Sequence, residues 1–234
     1  MNVRGKHIIV TGASLGIGRE TAKSLIKKGA LVLVTGRSQE RLETSFGDLE
    51  CQTIAFDIGD SSNIERNAQR CLEMLNGKVD VLVNNAGIGE RKSIEELTIE
   101  SFQKVFNVNV FGLALFTKEI VPVMKKNNVG TIINIGSTAS LKGYQTGSIY
   151  ASSKFAVRCL TQCWQAELRP HNIRVCQINP SEVTTAFGSP ERIERDEVYN
   201  KLTSKEIAHA ITSAIEMDDR GFINELNVWA TNPF

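Results

Sequence analysis

This sequence is short of net charge, of paired cysteine motifs and of long apolar runs, and each shortage narrows what it can be. The 27 Lys and Arg residues stand against 26 Asp and Glu, for a formal charge of +1. The basic residues are spread along the chain, so it lacks the basic stripe of a nucleic-acid-binding protein. No uninterrupted apolar run approaches the ~20 residues needed to cross a bilayer, and no membrane partner is expected. The opening stretch, MNVRGKHIIVTGAS, has neither the apolar core nor the cleavage site of a secretory leader. The five cysteines (Cys51, Cys71, Cys159, Cys163 and Cys176) are odd in number, and none lies in a C-x-x-C pair. Cys159 and Cys163 share a helical face, yet no histidine or second cysteine pair completes a metal site around them. Free thiols in a reducing, cytoplasmic setting, with no metal, are the expectation. Internal repeats, low-complexity tracts and Pro/Gly/Ser-rich linkers are also missing, so residues 1–234 read as one domain.

What is present is an alternation. Runs rich in β-branched and other apolar residues recur at His7–Val10, Leu31–Thr35, Thr53–Phe56, Val79–Val83, Thr131–Ile135, Val175–Ile178 and Phe222–Val228. Several are almost wholly apolar, as strands covered on both faces must be. Helical periodicity fills the gaps: Ala22, Leu25, Ile26 and Gly29 share one face, and Ile64, Ala68, Cys71, Leu72 and Leu75 another. Strand–helix alternation throughout predicts an α/β fold of Rossmann type: a doubly wound, mostly parallel, seven-stranded sheet with helices on both faces.

Directly after the first strand comes Thr11-Gly12-Ala13-Ser14-Leu15-Gly16-Ile17-Gly18. Glycines between a strand and a helix let a diphosphate approach the backbone, and the helix N-terminus offers N–H donors. The spacing is G-x-x-x-G-x-G rather than the commoner G-x-G-x-x-G. Gly12, Ser14, Leu15, Gly16, Ile17 and Gly18 are therefore candidate cofactor contacts; an ordinary tight turn is the alternative. The second strand ends Val34-Thr35-Gly36-Arg37-Ser38, with no acid where an NAD site places one for the ribose 2′-OH. Arg37 can instead fork onto a 2′-phosphate and Ser38 can add a bond, which selects NADP(H). A bond to a charged group contributes about 1.5–3 kcal/mol, enough to separate the two dinucleotides. The alternative leaves Arg37 on the surface, paired with Glu40 or Glu43.

Tyr150 and Lys154 stand four apart, which stacks them on one helical face. An ammonium nearby would lower a phenol that titrates near 10 when free, letting it exchange a proton with a substrate oxygen. Alone, such a pair is also an ordinary helix surface pair.

Thr11-Gly12-x-x-x-Gly16-x-Gly18, Asn84-Asn85-Ala86-Gly87 and Tyr150-x-x-x-Lys154 occur together in this order. With them the chain resembles the short-chain dehydrogenase/reductase family, from Lys6 to its C-terminus, and in particular its compact NADP-dependent, 3-oxoacyl-carrier-protein-reductase-like members. The resemblance implies that Ser137, thirteen residues before Tyr150, holds the substrate oxygen; Thr138 and Ser140 are neighbouring alternatives. It implies that Asn109 keeps a water in a proton relay, with Asn107 two positions away. Lys154 would also bond the nicotinamide ribose, and Tyr150 would adjoin the nicotinamide. Asn85, Ala86 and Gly87 would line the adenosine side by backbone contact. Asp57 and Ile58 would face the adenine, unless Asp57 only caps a turn. Pro180, Val183 and Thr185 would meet the nicotinamide amide, although Ser181 replaces the usual glycine after the proline.

The implied reaction is hydride transfer between NADP(H) and a small-molecule or carrier-bound carbonyl compound, by an oxidoreductase acting on CH–OH and C=O groups. An alcohol or 3-hydroxy-acid dehydrogenase working oxidatively is an alternative, and a non-catalytic NADP-sensing protein a third. Residues 186–201 occupy the place of a substrate lid, and their shortness suggests an open pocket. Family members are commonly homodimers or homotetramers, through helices that here would carry Phe111 and Phe155. Trp229 and Phe234 either contact a neighbouring subunit or pack locally.

Overall fold

The computed structural model describes residues 1–189 and 191–232. Seven strands form one sheet: β1 His7–Val10, β2 Leu31–Gly36, β3 Cys51–Ala55, β4 Val81–Asn84, β5 Gly130–Ile135, β6 Ile173–Pro180 and β7 Glu225–Val228. Their order is β3-β2-β1-β4-β5-β6-β7, and every pairing is parallel, rather than most of them. The helices are α1 Gly16–Lys27, α2 Gln39–Phe46, α3 Ile64–Met74, α4 Ile99–Phe106, α5 Leu113–Asn127, α6 Ser148–Leu168 and α7 Ser204–Glu216.

The apolar strands explain the two-faced cover. Alternate side chains of β1 divide between two cores, with Ile8 and Val10 on one face and Ile9 on the other. The first face packs against α1 and α7 through Ala22, Leu25, Ile207 and Ile211. The second packs against α3 and α5 through Ala68, Cys71, Phe116 and Ile120. The sequence places Gly29 and Leu75 on helical faces, but both lie just past the helix ends. Gly29 adopts φ 85°, which closes the turn from α1 into β2.

Helices α4 and α5 are joined without a break by a π-helical turn, Asn107–Gly112. The resulting stretch Ile99–Asn127 is long and apolar enough to cross a membrane, although 44% of its most apolar window is buried inside the protein. Counting uninterrupted apolar runs missed it because polar residues punctuate it. Phe116, Ile120 and Met124 from this stretch lie in the core.

The strand order reverses between β1 and β4, which diverge to opposite halves of the sheet after their C-terminal ends. In open parallel sheets a crevice forms at that point. Here it is a cleft of about 1370 Å³.

Candidate active site

The cleft begins at the glycine loop. Gly12 holds φ +64°, and a Cβ there would stand 2.6 Å from the Ala86 Cα. Only glycine lets the loop lie this close to the chain leaving β4. Asn85 fixes that approach: its Nδ2 donates to the Thr11 and Gly12 carbonyls, both at 2.9 Å. The sequence reading assigned Asn85 only backbone contact, whereas its side chain ties the glycine loop in place. Helix α1 starts at Gly16 with no cap from its N-cap residue Leu15 and no acidic residue in its first turn, and this N-terminus borders the cleft through Leu15, Gly16 and Ile17.

Ser14, Leu15, Gly16 and Ile17 line the cleft beside Gly12, and Gly18 lies behind them. Farther along, Arg37 and Ser38 line it too, joined by Arg41. Ser38 caps α2 by accepting from the Arg41 N–H at 3.3 Å. Neither Glu40 nor Glu43 pairs with Arg37; Glu43 accepts from Gln39 instead. Asp57 accepts from the Gly59 N–H at 2.8 Å, so it does cap a turn while lining the cleft with Ile58. Ala86, Gly87, Pro180, Val183 and Thr185 complete this half.

At the other half, Ser137, Tyr150 and Lys154 line the same cleft. Ser137 ends β5 and its Oγ accepts from the Ala139 N–H at 3.1 Å. Tyr150 and Lys154 lie on α6, one turn apart, with the Lys154 Nζ 5.8 Å from the centre of the tyrosine ring. That ammonium donates to the Ile135 carbonyl at 2.7 Å. Burial lowers the Lys154 pKa to about 8 from 10.5. Burial also raises the Tyr150 phenol above its ordinary value, opposed by a hydrogen bond with Ser137. In this arrangement burial, not the lysine charge, dominates the phenol, which therefore stays protonated at neutral pH.

Asn109 sits in the π-helical turn, fully buried. Its Oδ1 accepts from the Ile88 N–H at 2.9 Å, and its Nδ2 donates to the Ile88 carbonyl at 2.9 Å and to Ser153 Oγ at 3.0 Å. It thus spans from β4's loop to the residue preceding Lys154. Asn107 is not among the residues lining the cleft. Thr138 lines the cleft as well, while Ser140 is buried and its Oγ accepts from the Ser137 N–H at 3.2 Å.

Several residues escaped the sequence reading. Asn179, buried in β6, accepts from the Ser137 N–H at 3.2 Å. Phe187 tilts onto Tyr150, with ring centres 5.5 Å apart. Residues 186–189, Arg192 and Arg195 line the cleft, and Glu194 accepts from the Gly16 N–H at 3.2 Å and from Arg19 at 2.9 Å. Arg195 donates to the Val183 carbonyl at 2.7 Å. The segment therefore reaches over the glycine loop, where its shortness suggested an open pocket. Trp229 lines the cleft rather than the core and is 62% exposed; Phe234 lies outside the described residues. All five cysteines are free, and no cluster that could hold a metal occurs among the described residues.

Comparison with known proteins agrees with this geometry. A profile of the family described as "short chain dehydrogenase" matches residues 6–196. An uncharacterized oxidoreductase of Thermotoga maritima is 33% identical over 240 residues, covering 95% of this chain and 94% of the relative. Mouse 3-ketodihydrosphingosine reductase is 30% identical over 213 residues; the match covers 87% of this chain but only 64% of that longer protein. Among solved structures, an alcohol dehydrogenase from the archaeon Thermococcus sibiricus, complexed with 5-hydroxy-NADP, superposes with a TM-score of 0.89 at 28% identity. The superposition covers 97% of both chains.

Proposed function

Because the chain belongs to the short chain dehydrogenase family, we propose that it is an NADP(H)-dependent reductase of a small-molecule or carrier-bound carbonyl compound. The observation that carries this reading is one continuous cleft lined by the glycine loop, by Arg37 and Arg41, and by Ser137, Tyr150 and Lys154. The residues present fit the cofactor. Gly12 leaves a backbone cradle that a Cβ would fill, and the N-cap residue of α1, Leu15, makes no capping bond, so among the described residues the Gly16 N–H is held only by the distant Glu194. Neither Arg37 nor Arg41 has a carboxylate partner among the described residues, as a 2′-phosphate site requires.

When bound, NADPH supplies the hydride. Tyr150 holds a proton at its hydroxyl beside Ser137 and gives it to the carbonyl oxygen as negative charge develops there. The Ser137 hydroxyl orients that oxygen and stabilises its charge. Lys154 keeps a cation beneath the site and bonds the nicotinamide ribose. Asn109 holds the Ile88 backbone and Ser153 against α6 and supports a water that returns the proton. A protonated Tyr150 is in the state that a general acid for reduction needs. Assembly as a homodimer or homotetramer belongs to the same proposal; Phe111 and Phe155, 50% and 42% exposed on the two long helical stretches, support it. The free cysteines support a cytoplasmic setting.

The test follows NADPH absorbance with a 3-oxoacyl thioester, a diketone, an aromatic aldehyde and a ketose, alongside Tyr150→Phe. Turnover should fall about 10²- to 10⁴-fold in the variant, the range for loss of a general acid. Turnover that survives the substitution would refute the role of Tyr150. Tight NADPH binding without turnover of any carbonyl compound would favour a sensing protein.

A further inference from the structure

The segment after β6 carries one charged side chain for which the chemistry above has no use. Arg192 is half-buried and lines the cleft together with Arg37, Ser38 and Arg41. No carboxylate among the described residues pairs with any of the three arginines. Its neighbours are anchored differently: Glu194 sits on the Gly16 N–H, and Arg195 on the Val183 and Thr185 carbonyls. Arg192 itself closes a turn, donating its N–H to the Ser189 carbonyl at 3.2 Å, with a left-handed backbone at φ 57°. Such a conformation is uncommon outside glycine, asparagine and aspartate, and Arg192 lines the cleft while adopting it.

Burial, and then the charges of Arg37 and Arg41, hold the Arg192 pKa below its ordinary value. Three like charges gathered without a counterion repel one another, and a dianion placed between them reverses the sign of every interaction. The position of this cluster decides which anion. Arg37 follows β2 and Arg41 lies in the first turn of α2, away from the α1 N-terminus where a diphosphate would bind.

We propose that Arg192 is a third ligand for the ribose 2′-phosphate of NADP(H), reaching it from the segment after β6, and that it helps set the preference over NAD(H). The inference deepens the NADP(H) reading and rests on it.

The experiment compares dissociation constants for NADPH and NADH, read from nucleotide fluorescence, in the full chain and three variants. Arg192→Gly removes the charge at a position whose backbone suits glycine, so the turn survives. Arg192→Gln removes the charge but keeps the length, and Arg192→Lys keeps the charge. The expected result is NADPH binding about tenfold weaker or more in the first two, NADH binding unchanged within about twofold, and most of the loss restored by lysine. The NADPH effect should shrink as salt is raised, since the cluster is partly exposed. Equal weakening of both nucleotides, or unchanged NADPH binding, overturns the assignment of Arg192 while leaving the NADP(H) reading intact. A wild-type protein with no preference for NADPH overturns both.

Discussion

Burying a lysine beneath the cleft leaves a signature in the stability of the whole protein. Lys154 titrates near 8 in the fold and near 10.5 when exposed. Its folded pKa is depressed, so between those values the unfolded chain binds more protons than the folded one, and stability rises with pH. At pH 7.5 both states are mostly protonated and the gain is small. By pH 9.5 the folded lysine is mostly neutral and the unfolded one still charged, for a gain of about 2 kcal/mol across the interval. Three other buried groups push the opposite way: Cys71 and Cys176 are raised by burial to about 12 from 9.0, and Tyr150 lies above its ordinary value. Their contribution is lost as pH climbs, because the unfolded chain gives up those protons first. Raw melting curves therefore mix the two signs, and the informative quantity is the difference between wild type and Lys154→Met. That difference removes the thiols and the phenol, to the extent that they titrate alike in both proteins. In a chain of this size 1 kcal/mol moves Tm by about 2–4 °C. The wild type should therefore gain roughly 4–8 °C relative to the variant between pH 7.5 and 9.5, in thermal melts followed by circular dichroism. Parallel pH curves for the two proteins would refute the claim that burial discharges this lysine.

Two further outcomes follow from the glycine loop. Gly12→Ala forces a side chain into a left-handed backbone, costing about 1–2 kcal/mol, and into contact with the Ala86 Cα at 2.6 Å. Its Tm should fall by at least about 2–8 °C and its nucleotide binding should weaken; an unchanged melt would mean the loop does not need glycine there. Glu194 places a carboxylate on the Gly16 N–H, at the end of α1 that favours anions, so it competes with a diphosphate. Glu194→Gln should tighten NADPH and NADH alike, by about two- to fivefold if the carboxylate is worth 0.3–1 kcal/mol at that terminus; isothermal titration that shows weaker binding, or an effect on one nucleotide alone, would refute the competition.

The strands and the glycine loop were legible because they are local. A run such as Ile8-Ile9-Val10 announces a strand covered on both faces, and Gly12 needs only its own φ and one close neighbour to be identified. The ends of elements were less so. Phe222 and Ile223 read as the start of the last strand, yet β7 starts at Glu225, where the pairing with Gln177 begins. Thr53 opens the apolar part of β3, but backbone pairing with Val32 extends the strand back to Cys51. Tyr150, Lys154 and Ser137, which line the cleft, were candidates from the sequence because motif spacing carries them. Phe187, Arg192 and Glu194 were not, since residues 186–203 have no periodicity and their contacts are remote. Glu194 meets Gly16 across 178 positions of sequence, a relation no window of the chain contains. Asn179 was hidden for a different reason: in a buried strand that also carries Arg174 and Gln177, one more polar residue has no visible role until its partner is seen.

That partner is the end of a chain of buried amides. Asn84 donates to Asn134 Oδ1 at 2.9 Å, and Asn134 donates to Thr161 Oγ1 at 2.9 Å. Thr161 meets Gln177 Oε1 at 3.1 Å, and Gln177 donates to Asn179 Oδ1 at 2.7 Å. The same Asn179 oxygen accepts from the Ser137 N–H. Polar groups buried in an apolar sheet are costly unless bonded, and a bonded network is stiff because each bond fixes the next; at the far end from Ser137, Asn84 Oδ1 is buried without a partner among the described residues. Gly136, just before Ser137, leaves no room for a Cβ against Asn179 Oδ1, so the strand end is pressed onto this network. A serine that must hold a substrate oxygen beside Tyr150 needs its backbone fixed to well under an ångström, since misplacement by about 1 Å can cost a hundredfold in rate. Valine and isoleucine at those strand positions would pack the sheet equally well and leave Ser137 without its anchor, which is the physical reason for amides where an apolar core alone would not require them.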